Sequence, residues 1–515
     1  MADAGPAINS GFATVERRVT LGAIVLCALY SAGVMMWASP VSFYTLDDPY
    51  IHMALAENIA RGVFGVNLDE VSNPSSSILW PWILAAFEKI GLMLWAPLLI
   101  NIACFAMSVR VILRFSLKRL APEGVGLTNA LIVLGLGFLS FNLFGVIFTG
   151  MEHSLHVLLS IVVVTRVIDG RYDALTLAAL ALEPLVRFEG ALLLAFGFGA
   201  ALHDRKWVFA AIAAAVPVAC IGLYAMWLGS LGLPVLPSSV LSKSTLASGV
   251  VDGGGQVGAL FANLGFNARA PSALIFAVLA GAMMFGAARR SGRDRLLALG
   301  VLAVLILAFL AGKLDGYGRY EVYALCLGGL SAVHLFSAEL RRVLAAPMRV
   351  TMLGLGVIAV CVGLGPYVLA TTPAAARNID RQQHQMHRLA AECWKKPIAI
   401  NDLGWVSFRN DAYVLDLWGL GSEEARKARA AGGPGWMQKL IDDKSVELAM
   451  IYRDWFPDVP ETWTRVGTLS FTGMHVTPAY RDVSIYATRP EAIATAKACL
   501  AQVRLPEGAA IVASN

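Results

Sequence analysis

Apolar residues come in long runs, separated by short polar loops, over most of this chain. Runs at 20–38, 95–115, 130–149, 154–168, 207–228, 271–288, 296–312, 323–337 and 350–370 are of the order a helix needs to cross a bilayer, ~20 apolar residues. A further apolar stretch, 174–202, is broken by Glu183, Pro184, Arg187 and Glu189. It reads as two short helices meeting at a polar elbow, tolerated at membrane depth only where it lines a cavity or is buried in protein. The pattern predicts about eleven spans. Arg17 and Arg18 before the first run also suit a signal peptide, but no small-residue cleavage site is clear and many spans follow.

Charge placement fixes the expected orientation. Lys and Arg gather in cytoplasmic loops. With the N-terminus inside, the clusters Arg17-Arg18, Arg114-Lys118-Arg119, Arg166-Arg171, Arg205-Lys206, Arg289-Arg290-Arg293-Arg295 and Arg341-Arg342-Arg349 all fall on one side. The opposite loops are sparse and carboxylate-rich. This decides the ambiguous segment 78–94, which carries Pro81, Glu88 and Lys89. Counted as a crossing, it would put every later basic cluster outside. It therefore reads as an interfacial helix with Trp80 and Trp82 at headgroup level.

After residue 370 the runs stop. A polar helix is expected over 378–393, and short apolar runs at 397–401, 414–417 and 447–452 read as buried strands. The expected architecture is an α-helical polytopic membrane module, 1–371, with an outer-face loop 39–94, followed by a soluble α/β domain, 372–515. An odd number of spans puts that domain outside. Composition agrees: 57% of the 515 residues are hydrophobic and 15% charged, against roughly 25% charged in soluble domains. A soluble enzyme, a nucleic-acid binder, a disordered scaffold and a secreted disulfide framework are excluded as whole-chain readings, because burial in water cannot absorb that much apolar surface. Cys27, Cys104, Cys220, Cys326 and Cys361 lie in or beside spans and read as packing residues. Cys393 and Cys499 share the outer domain and can pair if that compartment is oxidising. No spacing of zinc ligands occurs.

The loop after the first span carries the densest chemistry. Asp48-Pro49 suits a helix start, with Asp48 capping and Pro49 at the first helical position. Ile51, Leu55 and Ile59 form an apolar stripe, and Glu57–Arg61 an i,i+4 pair, on an amphipathic helix along the outer membrane face. Asp47, one residue out, has no capping duty. The positive helix end favours its ionised form, and a carboxylate held there suits general-base chemistry on a hydroxyl. Both aspartates can equally be turn residues. Other polar groups sit at outer ends of spans, where charge is costly and marks function by default: His52, Glu152, His153, Arg187, Glu189, Lys243, Arg319 and Tyr320. Converging Arg and Lys would hold a phosphate; Arg–Glu pairing within the membrane is the bland alternative for Arg187, Glu189 and Glu152.

These residues resemble the GT-C glycosyltransferase superfamily, most closely the bacterial branch that includes the mycobacterial terminal arabinofuranosyltransferases. The resemblance rests on Asp47-Asp48-Pro49-Tyr50-Ile51 with Asn58 and Gly62, then on Ser72 to Trp80, Gly150-Met151-Glu152, Val186 to Gly190, and Gly318-Arg319-Tyr320. Asn401 to Gly404 and Leu415 to Leu420 resemble the start of that branch's outer domain. Ala54 stands where the branch has Arg, and Phe188 where it has Pro. The resemblance implies transfer of a sugar from a polyprenyl-phosphate donor to a hydroxyl of an envelope glycan or glycolipid, on the outer (periplasmic) face of the bacterial inner membrane. It implies Asp47 as base, Asp48 beside it, and Arg319, with Lys243 or Arg187, on the leaving phosphate. Some relatives bind a divalent metal at this face, and the sequence leaves metal use open; no other cofactor is expected. The alternative is a polytopic transporter or lipid flippase without transferase activity, but such proteins predict repeated halves and midplane charges. A bare membrane anchor would not need so many spans.

Overall fold

A backbone in hydrocarbon must satisfy its own hydrogen bonds, so apolar runs fold as helices. The computed structural model describes residues 6–122, 127–239, 256–314, 316–346, 354 and 364–514. Among them five helices are long and apolar enough to cross a bilayer: Ala13–Trp37, Ala96–Leu120, Leu127–Thr149, Trp207–Ser230 and Gly292–Ala311. The pair Val322–Leu335 and Ser337–Leu344, bent by 80°, makes a sixth if counted as one. His153–Ile168, Ala174–Val186, Gly190–His203 and Ala273–Arg289 are apolar but shorter. The predicted runs thus fall on helices, apart from 350–370, which lies mostly outside the described residues, while length qualifies only five or six as crossings. Large apolar side chains face outward, with Leu29 68% and Val208 74% exposed. Such faces need lipid, and the chain is a multi-pass membrane protein.

The elbow forms where Arg187 turns extended (φ −148°) after Ala174–Val186, ahead of Gly190–His203. The segment at 78–94 folds as Trp80–Glu88, nine residues, too short to cross. Of its two tryptophans Trp82 is exposed and Trp80 fully buried, so Trp80 belongs to the core and not to a headgroup belt. At the opposite end of the bundle, basic loop residues pair with aspartates: Arg119 with Asp169, Arg293 with Asp204, Arg166 with Asp173.

The helix Asp48–Ala60 corrects the interfacial reading. Every residue from Pro49 to Asn58 is buried, on the polar side as well as the apolar one. It is clamped between the membrane helices and the outer domain, where Tyr50 stacks on Trp405 with centroids 4.2 Å apart. Glu57 pairs with Arg61 at 2.7 Å as expected, and also accepts the Arg409 backbone N–H at 3.0 Å.

The outer domain is built on a six-stranded sheet in the order β2-β1-β3-β5-β4-β6, with β1 (Ile398–Ile400), β2 (Val414–Asp416), β3 (Leu448–Ile451), β4 (Thr464–Phe471), β5 (Asp482–Ala487) and β6 (Ala509–Ala513). β1 pairs in parallel with β2 and β3, and the remaining ladders are antiparallel. The polar helix expected at 378–393 is in fact split. Gly365–Arg381 runs in from the membrane module, Gln383–His387 follows, and Arg388–Trp394 is a π-helical turn. Cys393 in that turn is disulfide-bonded to Cys499 on the helix Ala492–Gln502, with Cα atoms 5.9 Å apart.

Burial, with neighbouring His384, pushes the His387 imidazole down to about 4. A depressed folded-state pKa contributes stability above the ordinary value of 6.5 and loses it as pH falls from there towards 4. The wild-type protein should therefore lose about 2–3 kcal/mol more than His387→Phe between pH 7 and pH 4, read as the difference in their thermal unfolding across that range.

Candidate active site

The site begins at the turn before Asp48–Ala60. Thr45 is tied by its N–H and its hydroxyl to the Phe148 carbonyl, at 3.0 and 3.1 Å, which fixes the turn on the bundle. The two aspartates then diverge. Asp47 occupies the N-cap position but makes no cap bond to its own helix. Its carboxylate reaches into the outer domain and accepts the N–H of Gly404 at 2.6 Å and of Trp405 at 2.8 Å. Asp48 is the first helical residue, not the cap, and accepts from the Arg319 guanidinium at 2.7 Å. The expected division of labour is thereby changed: Asp47 joins two modules, and Asp48 holds an arginine.

Gly404 has to be glycine. A Cβ there would lie 2.1 Å from the Asp47 carbonyl oxygen and 2.6 Å from its carboxylate. Burial, then the charge of Asp402, push the Asp47 pKa well above the usual carboxylate range, against the downward pull of the two N–H groups. Removal from water outweighs the helix-end effect that was expected to favour the ionised form.

Asp47 and Asp48 line a cavity of about 220 Å³ between the turn and the outer domain. Its far wall carries Asp402, Gln383, Asn401, Trp418 and Trp455. Asp402 accepts from Gln383 at 2.7 Å and from the Tyr452 hydroxyl at 2.9 Å. These wall residues were missed as site residues. The segments carrying Asn401, Asp402 and Trp418 were visible as motifs, but nothing in the order of the chain shows them meeting residue 47.

On the membrane side of Asp48 the other predicted residues converge. Arg319 follows a tight loop in which Gly316, Tyr317 and Gly318 all have positive φ (70°, 66°, 68°), a run that needs glycine's freedom. Tyr317 is held there by its hydroxyl on Thr371 at 2.6 Å. Arg319 is 5% exposed, and one terminal nitrogen bonds Asp48 and the Tyr320 hydroxyl. Its Nε and Nη1 are buried without a hydrogen-bond partner among the described residues. Tyr320 lies between this guanidinium and that of Arg187, 4.9 and 5.3 Å from its ring centre, with the His153 ring at 5.6 Å. Both His153 ring nitrogens also lack a partner among the described residues.

Arg187 is different. Its Nε and Nη2 bond Glu189 at 3.2 and 2.8 Å, and its Nη1 bonds Glu152 at 2.6 Å. Each of its three nitrogens bonds a carboxylate, so Arg187, Glu189 and Glu152 form the paired arrangement, with three of the five guanidinium N–H groups engaged. His52 lies beside them, 3.1 Å from Ser75 and 4.0 Å from Glu152. Lys243 lies outside the described residues. For a divalent metal the fit is poor: both Asp47 oxygens receive N–H groups, Asp48 receives Arg319, and no group of three His, Cys, Asp or Glu among the described residues has the geometry to hold one.

Comparison with known proteins identifies the fold. ArnT from Cupriavidus metallidurans bound to undecaprenyl phosphate superposes with a TM-score of 0.50 at 12% identity, over 91% of this chain and 98% of that one. The apo form of ArnT gives 0.51 at 12% identity, over 92% and 99%. The Archaeoglobus fulgidus oligosaccharyltransferase, in complex with Zn and sulfate, gives 0.50 at 13% identity, over 95% of this chain and 74% of that one. The chain shares its fold with ArnT and with this oligosaccharyltransferase. Residues 377–486 match a family described as a domain of unknown function (DUF8728). No curated protein matches in sequence.

Gly404→Ala should break the Asp47 contact by crowding. Leaving a buried carboxylate without its donors costs about 1–3 kcal/mol, so the melting temperature of the purified protein should drop. Gly421→Ala, whose Cβ would meet only side chains of Leu403 and Val66 within 3.4 Å, should cost less.

Proposed function

We propose that this protein is a GT-C glycosyltransferase that moves a sugar from a polyprenyl-phosphate donor to a hydroxyl of an envelope glycan or glycolipid. The reaction takes place on the outer face of the bacterial cytoplasmic membrane, with the N-terminus inside and the α/β domain outside. One observation carries the reading. A carboxylate pair, buried Asp47 and half-buried Asp48, borders a cavity on one side, and on the other Arg319 holds two buried guanidinium nitrogens without partners among the described residues. A buried cation with idle donors suits an anion. A lipid phosphate is an anion that the bilayer delivers, and the ArnT neighbour was solved with undecaprenyl phosphate bound.

In this mechanism the acceptor hydroxyl attacks the anomeric carbon of the donor sugar. The bond from that carbon to the phosphate oxygen breaks, and polyprenyl phosphate leaves with the electron pair. Asp47 takes the hydroxyl proton. Its raised pKa brings it closer to working pH, where a general base is most effective. Arg319 stabilises charge on the leaving phosphate, and Asp48 and Tyr320 orient Arg319. His153 can donate to the same phosphate. Lys243, which lies outside the described residues, is by its charge a second cation for it. Buried Arg187, Glu152 and His52, with half-buried Glu189, form the scaffold beside Tyr320. No step is assigned to a metal.

The test is sugar transfer from polyprenyl-phosphate donors by the purified protein in lipid. Arg319→Ala should lower kcat about 10²–10³-fold, and failure to see any transfer with the wild type would refute the reading. Because a general base must be deprotonated, kcat/KM should fall as pH drops through the raised pKa of Asp47, well above the usual carboxylate range. Asp47→Asn should remove that limb and about 10²–10⁴ of the rate.

A further inference from the structure

The cavity between the Asp47-Asp48 turn and the outer domain has its own chemistry. Three polar atoms on its walls have no partner among the described residues: Asn401 Nδ2, Gln383 Oε1 and Thr477 Oγ1. Asn401 is 4% and Gln383 1% exposed. The other end of each amide is engaged, which fixes its orientation. Asn401 Oδ1 accepts the Tyr452 N–H at 2.7 Å. Gln383 Nε2 donates to Asp402 at 2.7 Å and lies 3.2 Å from the Tyr452 hydroxyl. The cavity is therefore offered one donor, one acceptor and one hydroxyl, all held at fixed points. Burying such groups unpaired is costly, so a matching ligand is implied.

That ligand must both donate and accept. An anion would meet three carboxylates on the same walls, Asp47, Asp48 and Asp402, and would be repelled. A hydrocarbon chain would leave all three polar atoms unpaired. A neutral sugar satisfies both demands with its hydroxyls. Its C–H faces match the indoles of Trp418 and Trp455, whose centroids are 4.6 Å apart, as rigid aromatic surfaces with apolar bodies do in binding sites.

We propose that this cavity is the acceptor subsite and that it takes a neutral sugar ring through Asn401, Gln383 and Thr477. This rests on the transferase reading above and deepens it. The phosphate-bearing donor is kept on the Arg319 side of Asp48 by charge, and the uncharged acceptor ring sits on the outer-domain side. Asp47 lies on the acceptor's side, where the attacking hydroxyl needs its base.

The experiment uses the full-length protein in lipid nanodiscs. Methyl glycosides of glucose, mannose, galactose and arabinose are titrated and compared with methyl glucuronoside, with binding read by saturation-transfer NMR. At least one neutral glycoside should bind, and about tenfold more tightly than the charged one. Thr477→Val removes a hydroxyl that holds nothing in the protein, and Asn401→Asp keeps the bond to Tyr452 while removing the donor. Each should weaken that glycoside about five- to tenfold. Thr477→Val should do so without lowering the melting temperature. Binding that is absent in the wild type, equal for the glucuronoside, or untouched by both variants would overturn the subsite. Transfer from a polyprenyl-phosphate sugar is measured alongside. Glycoside binding that responds to the variants without any transfer upholds the subsite and removes only the transferase reading. Transfer whose acceptor KM ignores Thr477→Val removes the subsite alone.

Discussion

A carboxylate withdrawn from water must find donors to replace it, and Asp47 finds both on a part of the chain more than three hundred residues away. The N–H groups of Gly404 and Trp405 would be orphans at the start of a short helix, and the Asp47 carboxylate would be an orphan in the core. Each answers the other's need. This contact sets the distance between the membrane bundle and the outer domain, and with it the shape of the cavity between them. Tyr50 stacked on Trp405, and Glu57 on the Arg409 backbone, extend the same clamp along one helix.

The second organising constraint is charge neutrality below the turn. Arg187 sits among two glutamates, with every guanidinium nitrogen bonded. Pairing it this way ties it to the elements beside Tyr320 and commits three of its five N–H groups to carboxylates. Arg319 has only Asp48 and the Tyr320 hydroxyl bonded to one nitrogen. Two arginines that look alike in sequence thus differ: Arg187 has a carboxylate on every nitrogen, whereas Arg319 has two nitrogens with no partner among the described residues. The difference comes from how many carboxylates each can reach.

Between these two constraints lies a polarity gradient. Unpaired cationic donors face the membrane side of Asp48, and carboxylates, amides and indoles face the outer side. An enzyme joining a lipid-borne anion to an uncharged acceptor needs such a division, because each substrate then has one place where its charge is tolerated. In the proposed reaction the reacting atoms meet at the boundary, at the turn that carries the two aspartates.

The sequence by itself determined the membrane class, the positions of the apolar helices, the elbow at Arg187, the short helix at Trp80 and the first three strands, because hydrophobic period and run length are local quantities. It also singled out residues that do meet around Tyr320, since charge at membrane depth is conspicuous wherever it occurs. β4, β5 and β6 were not read from the sequence: in β4 the alternation is interrupted at Gly467, β6 is largely exposed, and all three are held by antiparallel pairing, which the local pattern does not encode. Only the tertiary structure decided that Asp47 binds Gly404 and Trp405 while Asp48 binds Arg319, that Arg187 pairs with both Glu152 and Glu189, and that Asn401, Gln383 and Trp418 share a cavity with residue 47. Those are statements about distance between remote segments, and they follow from how the modules pack, which no local pattern encodes.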